Sequence, residues 1–469
     1  MSEQLDSDLS SSGKQAPSGV AVLSSRSRVG RGVREAVANI AWLGSDRVMR
    51  MLGGIVVSAS VARYLGPDRF GQLNYALAIY SLFNVVSNLG LDYLVVREVT
   101  LWPDKEDEIL GTAFWLKTVG SVVTTVAGIT AAYYLSRAEL VVPEIVAILS
   151  VASISQGLDV IDYFFQAKIR SKLSVIPRNV VFVAASIARL VAIANHVTLL
   201  AFGWIAAFEV VFSEIGLAIV YFRVCGQIRH WLFLPRRALS LLKEGWPLMI
   251  AAIMFTVYMR TDQVMLGRMA GSAAVGQYTA AARLSEIWYV VPALICNSVM
   301  PRILRDRISS PSRYLARMQQ LYSLMVTLSI ALGLCATFSS RWIIALIYGK
   351  QFHNAAGILT IHIWSAVFVF IGTAGAGHLL NEGLTILELQ RATLGTIVNL
   401  LLNWAWIPRY GAVGSAYATL CTHAATAYVA DLLSAPTRYI FWMKTRAFTG
   451  FGLIYSRSTE PSPHNTQRI

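Results

Sequence analysis

The chain has 469 residues, of which 55% are hydrophobic and only 14% charged, and its mean hydropathy is +0.54. A soluble chain of this length carries about 25% charged residues, so the composition excludes an ordinary water-facing globule and leaves lipid as the solvent. A spanning chain has to satisfy every backbone group internally, which allows helices or closed barrels. The apolar stretches run about 20 residues without alternating every second position, so they are helices.

In chain order, residues 1–38 are rich in Ser, Gly and Arg, with no apolar core and no cleavage site. They read as a disordered cytoplasmic tail rather than a signal peptide. Six spans follow, over 39–64, 71–96, 110–135, 142–166, 175–196 and 199–222, within a first lobe of 39–223. Residues 224–242 combine Arg229, Arg236 and Arg237 with Trp231, Leu232 and Phe233, the mixture expected of a linker lying along the cytoplasmic interface. Six more spans, over 243–269, 273–304, 315–348, 356–380, 387–407 and 412–433, make a second lobe of 243–434. Residues 435–469 read as a cytoplasmic tail. The isolated Cys225, Cys296, Cys335 and Cys421 read as small hydrophobes. No metal or cofactor is expected.

Under this count the short loops Leu65-Gly66-Pro67-Asp68, Ala270-Gly271-Ser272 and Arg409-Tyr410-Gly411 fall on one side of the membrane. The face holding both termini carries 26 Lys and Arg and the opposite face seven. The bias of basic residues toward the cytoplasm therefore predicts cytoplasmic termini in an inner, cytoplasmic-type membrane. The net charge of +14 follows from that bias and needs anionic lipid, not nucleic acid, as its partner.

The halves repeat. Phe70-Gly71-Gln72 and Val275-Gly276-Gln277 both open a helix after a short loop, 205 residues apart. Six helices per half is an even number, so the halves enter from the same side and are related by a pseudo-two-fold axis along the membrane normal. The expected fold is all-α, with about twelve transmembrane helices in two six-helix lobes.

Three stretches carry a family resemblance. The first is Arg63-Tyr64-Leu65-Gly66-Pro67-Asp68-Arg69-Phe70-Gly71, continuing to Leu89-Gly90-Leu91-Asp92 and Val96-Arg97-Glu98. Next comes Arg260-Thr261-Asp262-Gln263-Val264-Met265-Leu266-Gly267, followed by Gly276-Gln277-Tyr278 and Ala282-Arg283-Leu284. Last are Asn399 to Asn403 and Ile407-Pro408-Arg409-Tyr410-Gly411. Together they resemble the polysaccharide repeat-unit (O-antigen or exopolysaccharide) flippases of the multidrug/oligosaccharidyl-lipid/polysaccharide exporter superfamily, over most of residues 39–433. The resemblance implies a V-shaped two-lobe transporter, not an enzyme, whose substrate is an isoprenoid-pyrophosphate-linked oligosaccharide. Polymerase and chain-length proteins are its expected partners.

Function is sought in the charges inside spans, because one near the bilayer centre costs about 2.5–3.5 kcal/mol on insertion scales. Lys117 and Arg178 lie near span ends and read as snorkelling. Arg47 and Arg50 share a helical face beside Asp46, leaving an excess positive charge that a diphosphate or a carboxylate on another span can answer. Arg283 has Glu286 three residues on as a local competitor, and the resemblance matches it to an arginine in the eighth span of lipid II flippases. Arg260 and Asp262 are two apart and read as cavity residues, whereas Arg189 has no resemblance behind it. The candidate substrate-binding residues are thus Arg47, Arg50, Arg260 and Arg283. Asp159 and Asp162 share a face and can hold a coupling cation, share a proton or pair with cavity arginines. With Asp262 and Glu286 they are the candidate coupling or cavity carboxylates. Asn399 and Asn403 read as helix glue, and the histidines form no cluster.

Two other functions compete. A cation-coupled drug antiporter shares the fold, but buried arginines disfavour its commonly cationic substrates. A membrane glycosyltransferase or polymerase would be expected to carry a sizeable outer loop with catalytic carboxylates, and the outer loops here are short.

Overall fold

The computed structural model describes residues 20–136, 140–225, 228–381 and 384–449. They are helical almost throughout, with no strand among the described residues. Eight helices are long and apolar enough to cross a membrane, and a bent pair over 350–379 makes a ninth. The other three emerge at glycines. Val20–Ser87 is continuous only in name, because Gly66 at φ 72°, ψ 172° turns it sharply into two helices. Gly411, at φ 55°, divides Thr385–Ala424 in the same way. The result is twelve spans among the described residues. The helices that carry spans 1–6 cover 20–65, 67–101, 103–135, 141–167, 172–194 and 199–224, the first reaching back over 20–38, which the sequence reading assigns to a tail. Spans 7–12 cover 235–270, 272–309, 311–347, 350–379, 385–410 and 412–433.

The outer surface is the inverse of a soluble protein's. Val119, Val122, Val123 and Val126 on span 3, and Phe208, Phe212, Ile215 and Ile219 on span 6, are exposed. Apolar belts of that extent suit lipid.

The repeat holds in the backbone. Gly271 adopts φ 83°, ψ 168°, nearly the conformation of Gly66, and lies 205 residues after it. Both are left-handed positions where glycine escapes the Cβ penalty. Five residues on, spans 2 and 8 touch. A side-chain carbon on Gly71 would overlap the carbonyl oxygen of Ser272, and one on Gly276 would overlap that of Pro67. Pro67 and Ser272 are themselves 205 apart, so the contact is reciprocal, as a two-fold axis between the lobes requires. Around it, Arg63 of span 1 donates to the carbonyls of Leu346 and Ile347 at the end of span 9. Gln351 Nε2 returns a bond to Arg63 O at 2.7 Å. The glycine-turn end of the molecule is closed.

The segment between the lobes packs on span 3, and residues 235–242, read as part of a linker, belong to the helix of span 7. Leu232 N donates to Asp107 O and Leu234 N to Thr112 Oγ1, both at 3.2 Å, while Leu232 and Phe233 stay exposed.

The C-terminal segment is where the structure departs most from a tail. Arg438–Phe448 is a helix packed on the second lobe, burying Ile440, Met443, Lys444 and Ala447. Lys444 Nζ is fully enclosed and donates to Ala427 O at 2.6 Å and Asp431 Oδ2 at 2.7 Å. Arg391 bonds the other Asp431 oxygen. Two of the cations counted toward the cytoplasmic face, Arg391 and Lys444, are therefore interior. Asp431 alone joins span 11, span 12 and the C-terminal helix. Asp431→Asn should cost about 3–5 kcal/mol, the usual penalty for stranding a buried ion-pair partner. It would be seen as a lowered unfolding midpoint in detergent, and a wild-type midpoint would contradict it.

Candidate functional site

The candidate side chains that the structure brings together lie where spans 1, 2 and 8 meet. Arg283 is 12 residues past the Gly271 turn, so it sits about 18 Å below that end, near the middle of a hydrocarbon core about 30 Å thick. Its guanidinium leaves the second lobe and enters the first. It donates to Ser58 Oγ of span 1 and, at 2.7 Å, to Asn74 Oδ1 of span 2, and it lies 5.6 Å from the centre of the Phe70 ring. Asn74 is oriented for this by its own bond to Phe70 O at 2.7 Å. Beside the pair is a cavity of about 250 Å³ lined by Ser58, Asn74, Phe182, Arg189, Glu209 and Arg283. Arg189 is neutralised there by Glu209 at 2.6 Å.

Glu286 does not capture Arg283. The local competitor loses because Ser58 and Asn74 offer a forked pair of acceptors across the interface. Arg260, 11 residues before Gly271, reaches about the same depth as Arg283. The two arginines and Glu286 lie within electrostatic reach of one another. Neither arginine has a carboxylate partner within ion-pair distance among the described residues. Arg50 lies deeper toward the basic end, its guanidinium 5.2 Å from the Phe182 ring that lines the cavity. Arg47 falls on span 1 but outside the described side chains.

Asp262 stands apart from Arg260. Two residues on a helix point about 200° apart, and Asp262 turns into its own lobe. There Tyr278 donates to it and Gln263 N bonds it at 2.8 Å, with Thr419 3.0 Å beyond the Tyr278 hydroxyl. It is a packing residue between spans 7, 8 and 12.

Asp159 and Asp162 do not face the central cavity. Arg178 forks onto both, at 2.6 and 2.9 Å, and Lys117 reaches Asp159 at 3.3 Å. Lys117 is only 2% exposed, so it is not snorkelling. Distance from a span end cannot reveal a partner on a neighbouring span, which is why the expectation failed. Asn403 bonds Asn399 at 3.1 Å and Ser415 at 2.8 Å, joining spans 11 and 12 as helix glue. Among the described residues, no group of His, Cys, Asp and Glu is placed to hold a metal ion.

The model of the polysaccharide biosynthesis protein family matches residues 36–306, more than half of the chain. This chain belongs to the polysaccharide biosynthesis protein family. The MatE family model matches residues 247–405. A structure of the lipid II flippase MurJ in an inward closed conformation superposes with a TM-score of 0.63, at 14% identity over 90% of this chain and 94% of that one. An inward-facing multidrug resistance MATE family transporter of the MOP superfamily gives 0.65, at 11% identity over 88% and 98%. No curated protein sequence gives a match. This polysaccharide biosynthesis protein thus has the fold of multi-pass membrane transporters of the multidrug/oligosaccharidyl-lipid/polysaccharide exporter superfamily.

For a family member of this fold, two features escaped the sequence. The grip of Arg283 on Ser58 and Asn74 joins residues more than 200 positions apart, with no local spacing to betray it. Glu214 on span 6 is 4% exposed and belongs to the Asp159 cluster. Its place as a carboxylate inside an apolar span was legible, but its grouping with Asp159 was not.

Proposed function

We propose that this chain flips an isoprenoid-pyrophosphate-linked oligosaccharide repeat unit across the cytoplasmic membrane by alternating access, for surface polysaccharide synthesis. The observation that carries the reading is the mid-depth pair Arg260 and Arg283, which has no carboxylate partner among the described residues and sits where the lobes meet. A diphosphate answers that charge, and the guanidinium fork suits its geometry. The match to the polysaccharide biosynthesis protein family supports the same substrate class. Arg50 extends the positive track toward the basic end, which we take as cytoplasmic from the bias of Lys and Arg, and Arg47 precedes it by three positions in the sequence. The anion enters there, the sugars occupy the space between the lobes, and the isoprenoid tail stays in lipid. Polymerase and chain-length proteins would take over the delivered unit.

The second reading is a cation-coupled drug antiporter, favoured by the MatE match and the MATE superposition. A central site with an arginine excess repels a cationic drug, so the flippase reading is preferred. Purified protein in liposomes decides between them. A fluorescent isoprenoid-diphosphate oligosaccharide should become accessible from both leaflets and be competed by unlabelled diphosphate lipid. Transport of a cationic dye without any movement of the lipid would overturn the flippase reading.

A further inference from the structure

We infer that the first lobe holds a proton-binding site, formed by Glu214 of span 6 hydrogen-bonded to Asp159 of span 4. Four spans build the surrounding cluster. Lys117 of span 3 donates to Asp159 Oδ2 at 3.3 Å and to Tyr163 Oη at 2.8 Å. Arg178 of span 5 occupies Asp159 Oδ1 at 2.6 Å and Asp162 Oδ2 at 2.9 Å, and Gln166 adds a bond to Asp162 at 3.0 Å. Two cations thus meet two aspartates and the group is neutral before Glu214 is considered.

Glu214 is a third carboxyl with no cation left for it. The span that carries it packs directly on the Ser153–Asp159 segment, which ends in Asp159. Glu214 Oε2 is buried without a partner, and the residue is 4% exposed. Two ionised carboxylates are acceptors only and cannot bond each other. One proton between them turns the contact into a hydrogen bond and leaves the cluster neutral. A metal ion is a poorer occupant, because these acids do not converge as a coordination set among the described residues.

Hydrogen bonds tie the cluster to the protein surface. Tyr163 Oη accepts from Lys117 and donates to Asp92 Oδ1 at 2.9 Å, with Asn88 Oδ1 at 3.1 Å. Asp92 is exposed at the basic-loop end of span 2. Among the described residues, the cluster's further titratable neighbour is Tyr80 of span 2, held by Gln156 at 3.4 Å. The cluster also sits on a mechanical break. Ser153–Asp159 is a seven-residue 3₁₀ segment inside span 4, longer than such runs usually persist and typical of a hinge. A proton gained or lost at Asp159 therefore acts at the end of that hinge, the position a coupling proton needs.

Infrared titration of the full-length protein in lipid nanodiscs tests this without substrate, so its result is independent of the flippase reading. The wild type should show a protonated-carboxyl C=O band that disappears at high pH. The band should be absent from Glu214→Gln and present in Glu214→Asp, which keeps the acid. Asp159→Asn, which changes the hydrogen-bond partner, should shift its frequency. An undiminished band in Glu214→Gln, or an unshifted one in Asp159→Asn, would overturn the assignment.

Discussion

Replacing Arg283 by alanine should slow lipid flipping on the order of 100-fold while leaving the protein inserted and abundant. Hydrogen bonds to a charged group contribute about 1.5–3 kcal/mol each, and each 1.4 kcal/mol is tenfold in rate. Arg283 makes two of them across the lobe interface, to Ser58 and Asn74. In the proposed cycle an arriving diphosphate competes for the same guanidinium, so binding substrate and loosening the lobes become one event. Lysine keeps the charge but loses the planar fork, and should restore flipping only partly. Asn74→Ala separates the two roles. It weakens the interlobe contact yet keeps the cation, so substrate binding should survive while the rate changes. Flipping in liposomes, beside quantified membrane protein, reads all three. Normal flipping by Arg283→Ala would make the residue a packing element and remove it from the site.

Much of the fold was open to sequence reasoning because its determinants are local. Apolar runs set the spans, and Gly66, Gly271 and Gly411 mark turns that chemistry alone can place. The equivalence of Gly71 and Gly276 was visible as a repeated tripeptide, although their mutual contact was not. Charges behaved differently. Lys117 was misread because its answer, Asp159, lies 42 residues away on another span. The C-terminal helix was missed for the same reason. Lys444 in isolation looks like a tail residue, and only Asp431 and Ala427 make its burial affordable. The apolar spacing of Ile440, Met443 and Ala447 was the available signal. Within the candidate site, depth and charge excess were legible, and the pairing across lobes was not.

The second large effect is expected at the glycine pair. Gly276→Leu should hold the glycine-turn end open and abolish transport. A side-chain carbon there meets the backbone oxygen of Pro67, and its counterpart on Gly71 meets that of Ser272. Backbone cannot swing aside as a side chain can, so spans 2 and 8 have to separate. The bonds from Arg63 to Leu346 and Ile347 then face the same strain. Ser58, now 9% exposed beneath this closure, supplies the reporter. In a background with the four native cysteines replaced, Ser58→Cys should resist an impermeant thiol reagent added outside cells, and Gly276→Leu should make it reactive. Labelling from outside also tests the proposed orientation, since a glycine-turn end facing the cytoplasm would give none. Gly357→Ala on span 10 is the control. A side-chain carbon there meets nothing within 4 Å, and alanine is favoured over glycine in a helix by about 1 kcal/mol, so transport should be unchanged. If Gly276→Leu transports normally with Ser58→Cys still protected, the two-fold glycine contact is not the seal between the lobes.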